Sequence, residues 1–182
     1  KGSKKKINFI QSKSFELCLF LSLPATMALI VGSEEITSAL FGYGAFDSLS
    51  VSNSAKALYY FALGLPAFAI IKVFSTFLFA RNNTKTPFYY SLISVLINIL
   101  ISVLFFKNVG FIIIPIATTI SSWINALLLF VNLYRNDYFS FNNIFNTTNL
   151  KITLVSIISI YLFSIFIKLS EEYLLYGSEL KL

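Results

Sequence analysis

Histidine is absent from the 182 residues, and cysteine, methionine and tryptophan occur once each. The missing histidine removes the commonest general acid–base group and the commonest metal ligand. A lone Cys18 permits neither an internal disulfide nor a cysteine-based metal spacing. The eight carboxylates stand mostly at loops, so no paired-acid or nucleophile–base constellation can be assembled. Glu34 and Glu35 are adjacent, and neighbours on a helix point different ways; they read as a helix end reaching water. The expectation is a protein that is not an enzyme and uses no cofactor or metal. Charge is scarce as well. Only 12% of residues are charged, against about a quarter in soluble domains, which leaves too few to cover a water-facing surface.

What is present instead is apolar: 57% hydrophobic residues, 17% aromatics and a mean hydropathy of +0.78. The charges sit between long apolar runs. This is the pattern of an all-α, polytopic transmembrane helix bundle with about five spans. The net charge of +6 does not indicate nucleic acid. Five of the fourteen cations crowd into residues 1–13 and the rest are scattered singly, whereas nucleic-acid binding needs a continuous basic surface. A basic cluster beside anionic membrane lipid accounts for them.

Residues 1–14 read as a basic cytoplasmic connector and residues 15–136 as four spans. The first span is kinked at Pro24 and ends near Gly32; the others run 57–80, 88–106 and 111–134. Gly42 and Gly44 mark a turn. A polar stretch 48–54 follows, then Tyr59 and Tyr60 at the interface. Residues 137–151 read as a cytoplasmic loop, 152–168 as a fifth span and 169–182 as a periplasmic tail. The short connections 81–86 and 107–110 predict antiparallel neighbouring helices. With the amino end inside, nine cations face the cytoplasm and four face outward, so the carboxyl end is expected outside. The first residue is Lys, with no signal-peptide pattern, and the sequence is expected to begin inside a larger protein.

Three cations stand out as candidate substrate or gating residues: Lys72, Arg81 and Lys85. Lys72 interrupts an apolar run nine residues before Arg81, or about 13 Å of helix. An intramembrane charge costs at least ~2.5 kcal/mol on insertion scales. It calls for an anionic headgroup, a carboxylate on another helix, or snorkelling to the interface. In the segment 81–87, Arg81 suits a helix C-terminus, Asn82 and Asn83 suit a turn, and Thr86 can cap a helix opened by Pro87. Asn98, Trp123 and Asn125 are polar handles for interhelical hydrogen bonds, and the cluster 117–122 favours close helix approach.

Several of these elements, in order, resemble a known family. Leu63-Gly64-Leu65-Pro66-Ala67-Phe68, Lys72-Val73, Phe79-Ala80-Arg81 and Thr84-Lys85-Thr86-Pro87 are similar to the late part of the MurJ/MviN family. Leu23-Pro24-Ala25 and Leu40-Phe41-Gly42-Tyr43-Gly44-Ala45-Phe46-Asp47 add to it, with Tyr43 departing from the usual basic or polar residue. The resemblance covers residues 10–136. It implies part of the second lobe of a multidrug/oligosaccharidyl-lipid/polysaccharide exporter fold, plus one extra C-terminal helix. It implies a lipid II flippase of the bacterial cytoplasmic membrane, working by alternating access. Lipid II and membrane lipids would be its partners, and the first lobe of its own chain would be required. Another lipid-linked saccharide, or a non-transporting scaffold role, are the competing expectations.

Overall fold

A computed structural model describes the backbone of residues 2–139 and 146–179, and the side chains of residues 5–139 and 146–169. Parts of the loop 137–151 and of the tail 169–182 lie outside the described residues. Six α-helices account for nearly all of it: α1 (Gly2–Val31), α2 (Ser33–Phe41), α3 (Ser48–Phe79), α4 (Lys85–Val109), α5 (Ile113–Arg135) and α6 (Thr147–Glu179). A single 3-10 turn, Gly110–Ile112, links α4 to α5.

The helices outrun the apolar runs that announce them. α1 begins at Gly2, so residues 2–14 of the basic segment continue the first span without a break, and Gln11 is buried. α3 starts at Ser48, so the polar stretch 48–54 is helical. Hydropathy marks where a helix meets lipid; capping decides where it begins. Asp47, in an extended conformation, accepts a hydrogen bond from the Ser50 backbone N–H at 2.8 Å, satisfying one of the orphan donors of the first turn. Val51 and Ala55 are then buried.

α2 is a bent continuation of α1. The backbone ladder passes through the junction, with Gly32 N–H on Ala28 O and Ile36 N–H on Gly32 O, both 2.8 Å. Glycine stands there because a Cβ would lie 3.0 Å from the Phe163 ring of α6. Glu34 and Glu35 occupy the first turn of α2, where the helix dipole favours negative charge.

Four stretches are long and apolar enough to cross a membrane: Lys5–Val31, Ser48–Phe79, Lys85–Arg135 and Thr147–Leu169. The third has 51 residues, over twice the ~20 needed for one pass. It reverses at Gly110, whose φ of 73° suits glycine. Ser94 then meets Ser121 and Asn98 meets Thr118 across the α4–α5 pair, a register only antiparallel helices give. Five membrane-length rods result.

In space the rods form a row: α6, α1, α3, α5, α4, with α2 against α3. α1 and α3 are antiparallel, since Phe15 stacks on Phe74 with ring centroids 5.7 Å apart. α3 and α5 are parallel, since Thr119 donates to Tyr60 O and Trp123 to Leu63 O. The short connection 107–110 does join packed neighbours. The connection 81–86 does not: α3 and α4 share little contact, because α5 lies between them. The reason is a seam of small and hydroxyl residues. Gly64 allows Thr119 to approach so closely that a Cβ would sit 2.9 Å from its Oγ1, and Ala67, Ala117 and Ala126 are buried.

A hydrophobic core lies where the middle of α1 meets the ends of α3 and α5. Phe15, Phe74, Phe77, Leu78, Leu129, Leu133 and Phe139 pack there, and the Phe139 ring meets Phe74 at 5.3 Å edge-on. Edge and offset aromatic pairs add roughly 0.5–1.5 kcal/mol each beyond their buried area. Most of α4, by contrast, faces outward; Val103 and Leu104 are about 70% exposed. Such a face is far larger than a water-soluble surface tolerates and is what lipid requires.

Candidate functional site

Lys72 lines a groove of about 570 Å³ between α1 and α3. Its walls include Cys18, Ser22 and Ala25 of α1 and Leu65 and Phe68 of α3. Lys72 is exposed, and no hydrogen bond or ion pair to its ammonium is found among the described residues. Lys72 is seven residues from Phe79, about 10 Å along α3.

Serine and threonine hydroxyls on these helices commonly return to the carbonyl four residues back, as Thr37, Thr76, Thr118, Ser122 and Ser156 do. Ser22 and Thr26 do not: both are about 95% buried and neither hydroxyl has a partner.

Arg81 is a clip rather than part of the groove. Its Nη1 donates to Phe77 O at 2.6 Å, supplying one of the orphan carbonyls of the last turn. Its guanidinium lies 4.3 Å from the centre of the Tyr138 ring, a cation–π distance. The Gln11 amide, oriented by its neighbours, accepts from both Arg81 terminal nitrogens at 3.2 Å and donates to Tyr138 O at 2.9 Å. One side chain thereby ties α1, the end of α3 and the chain after α5. Beside it, Glu16 is buried, pairs with Lys13 at 2.5 Å and accepts from Asn146 Nδ2 at 3.3 Å. Gln11, Glu16 and Tyr138 are not singled out by sequence reasoning. The one signal available was a carboxylate and an amide standing at the mouth of an apolar run.

The turn after Arg81 works differently from expectation. Asn82 adopts φ 58°, with Asn83 N–H on Leu78 O and Asn82 N–H on Phe79 O. That is the Schellman arrangement, asparagine replacing the usual glycine. Asp137, φ 56°, repeats it after α5, with Tyr138 N–H on Leu133 O. Thr86 does not cap α4 and Pro87 is not its first residue. The Asn83 side chain accepts from Thr86 N–H at 3.1 Å, and Lys85 opens the helix, placing buried Pro87 third. Pro87 still fits, because first-turn N–H groups have no intrahelical acceptor. Lys85 is exposed at the positive pole of α4, where the dipole disfavours a cation. Lys72, Arg81 and Lys85 thus occupy three different settings.

The connection from α2 to α3 passes through two glycines. Gly44 has φ 67°, and a Cβ on Gly42 would lie 2.5 Å from Ser38 O. Hydrogen bonds from Ser50, side chain first and backbone second, hold the Asp47 carboxyl below its ordinary value.

Between α4 and α5 runs a polar ladder. Ser94 Oγ donates to Ser121 O at 2.7 Å, Asn98 Nδ2 to Thr118 Oγ1 at 2.9 Å, and Ser102 Oγ to Asn98 Oδ1 at 3.5 Å. Asn98 and Trp123 therefore make the interhelical bonds expected of them, whereas Asn125 is buried with its Oδ1 unpartnered. No cluster of three His, Cys, Asp or Glu that could hold a metal exists among the described residues.

Residues 1–181 match the family model described as "Lipid II flippase MurJ". A protein named "Probable lipid II flippase MurJ" from Rhizobium tropici is 39% identical over 137 residues, covering 75% of this chain and 26% of that protein. The "Lipid II flippase MurJ" of Thermosipho africanus is 32% identical over 128 residues, covering 70% of this chain and 27% of that protein. The fold superposes on a solved structure titled "Lipid II flippase MurJ, inward closed conformation" with a TM-score of 0.76 and 27% identity, covering 98% of this chain and 41% of that one. The chain spans about a quarter of the length of the curated relatives it matches.

Proposed function

The chain belongs to the lipid II flippase MurJ family, and on that premise we propose that it forms part of a transporter moving lipid II from the cytoplasmic to the periplasmic leaflet for cell wall synthesis. The observation that carries the reading is the family match over residues 1–181, joined to a bundle whose outward faces are lipid-like. Transport by alternating access needs rigid bodies that rock rather than groups that react. The aromatic core and the Arg81 clip supply one rigid end. In this reading the remainder of the chain contributes the first lobe and the substrate cavity.

Orientation follows the cations. The end carrying residues 5–13, Arg81, Lys85 and Arg135 is cytoplasmic; the end carrying Lys56 and Lys107 is periplasmic. The exposed Lys85, which the helix dipole opposes, is a topological charge. Arg81, Thr86 and Pro87 serve structure and gating rather than direct contact with substrate.

Complementation is the test. The gene, expressed in cells depleted of their own flippase, is expected to restore growth and the appearance of lipid II on the outer leaflet. A well-expressed, correctly inserted protein that restores neither would sink the flippase reading. Restored export of a different lipid-linked saccharide would move the substrate within the superfamily.

A further inference from the structure

We propose that Pro24 is the hinge of a moving arm, residues 23–46, which swings as a unit against a helix α3 that is held fixed. The inference concerns how this part of the bundle changes shape. It does not depend on what the protein transports.

The tripeptide Leu-Pro-Ala occurs twice, at residues 23–25 of α1 and 65–67 of α3. Each proline lies inside its helix and lacks the N–H that would meet the carbonyl four residues back, that of Phe20 or of Ala62. Phe15 stacks on Phe74 across the antiparallel pair. Pro24 is nine residues beyond Phe15 and Pro66 eight residues before Phe74, so the two breaks stand within about 1.5 Å of one level. The α1–α3 groove, with Ala25 on one wall and Leu65 on the other, runs past that level and leaves room for α1 to tilt.

The two breaks are held differently. At Pro66, helix α5 braces the backbone: Thr119 Oγ1 donates to Tyr60 O at 2.6 Å and Trp123 Nε1 to Leu63 O at 3.1 Å. Before Pro24, α1 is tied down by Gln11 to Arg81, by Glu16 to Asn146 and by Phe15 in the aromatic core. Beyond it, among the described residues, no hydrogen bond, ion pair or ring contact joins residues 23–46 to α3, α5 or α6. α2 lies against α3 by packing alone. Within the arm the backbone ladder passes through Gly32 without a break, so the end of α1 and all of α2 move together.

The hydroxyls on either side of Pro24 supply the second state. Ser22 and Thr26 are buried and unpartnered, whereas Thr37, Thr76 and Ser156 return to the carbonyl four residues back. An unpaired buried hydroxyl is destabilising. Back-bonding by serine and threonine bends helices, and such hydroxyls re-satisfy backbone that a proline frees. Bending at Pro24 therefore gives Ser22 and Thr26 acceptors that the present arrangement denies them. The two states differ by an exchange of hydrogen bonds near one residue, while the aromatic core stays as it is.

The experiment measures distances in the full-length protein in nanodiscs, in a background without other cysteines. Spin labels at positions 38 and 107 report the arm against the α4–α5 pair. Labels at 56 and 107 report braced α3 against the same pair. Double electron–electron resonance is expected to give two distances for 38–107 and one for 56–107. Pro24→Ala, which restores the missing N–H, should merge the two distances into one. Ser22→Ala combined with Thr26→Val keeps the proline and removes both donors; it should reduce the bent population by about fivefold, the effect of one exchanged hydrogen bond. A single 38–107 distance in wild type would overturn the proposal. So would two distances that persist unchanged in both variants, or a 56–107 pair that splits as the other does. None of these readouts depends on complementation, so this inference and the flippase reading can fail separately.

Discussion

At the scale of single residues, Arg81 shows how a charge in a membrane protein can be fully employed without touching a substrate. Its fork donates to a helix-end carbonyl and to Gln11 while its plane covers Tyr138. Those jobs depend on a planar guanidinium, not on charge alone. Arg81→Lys is therefore expected to destabilise nearly as much as Arg81→Ala, by about 1–2 kcal/mol, read as a lower melting temperature of the detergent-purified protein. A lysine variant as stable as wild type would reduce the clip to simple charge. The sequence pointed to Arg81 as a helix-ending cation, and it is one. Its partners were illegible, because Gln11 and Tyr138 are 70 and 57 positions away in the chain and neither belongs to a local pattern. The asparagine pair was half legible. Composition marks Asn82-Asn83 as a turn, but only backbone geometry divides the work, Asn82 taking the left-handed position and Asn83 capping α4.

At the scale of elements, the lesson is where helices begin. α4 and α5 follow their apolar runs to within a few residues, yet α1 and α3 start many residues before theirs, because N-terminal ends are set by hydrogen-bond supply. Asp47 makes this testable. Its carboxyl is held below its ordinary value by Ser50. A group whose folded value is depressed contributes above its unfolded value and loses that contribution as pH falls through the folded value. Acidification across that window is expected to fray the first turns of α3, seen as lower amide-exchange protection around residues 50–52 relative to the intrinsic rate at each pH. Asp47→Ala should show the same low protection at neutral pH and no further loss of protection on acidification. Protection in wild type that stays constant across that window would remove Asp47 as the cap that matters.

At the scale of the whole molecule, the row α6–α1–α3–α5–α4 could not be read from the chain. It depends on Gly64 meeting Thr119 across α3 and α5, a non-local fit that no hydropathy profile records. The alternation of the rods was legible, because it needs only their number and the distribution of cations. A cysteine at position 56 and one at position 85, in a background lacking Cys18, are expected to react with a membrane-impermeant thiol reagent from opposite sides. Position 56 should label in intact spheroplasts and position 85 only after permeabilisation. Labelling of both from the same side would break the proposed topology.

The placement of α5 between α3 and α4 also sets an order of assembly during synthesis. α4 leaves the ribosome tethered to α3 by a short turn but with almost no surface to share with it. Its polar ladder of Ser94 and Asn98 has no partner until Thr118 and Ser121 arrive on α5. α4 therefore precedes in the chain the helix that meets its polar edge. The row is completed by a helix set between two earlier ones rather than by adding each helix to the last.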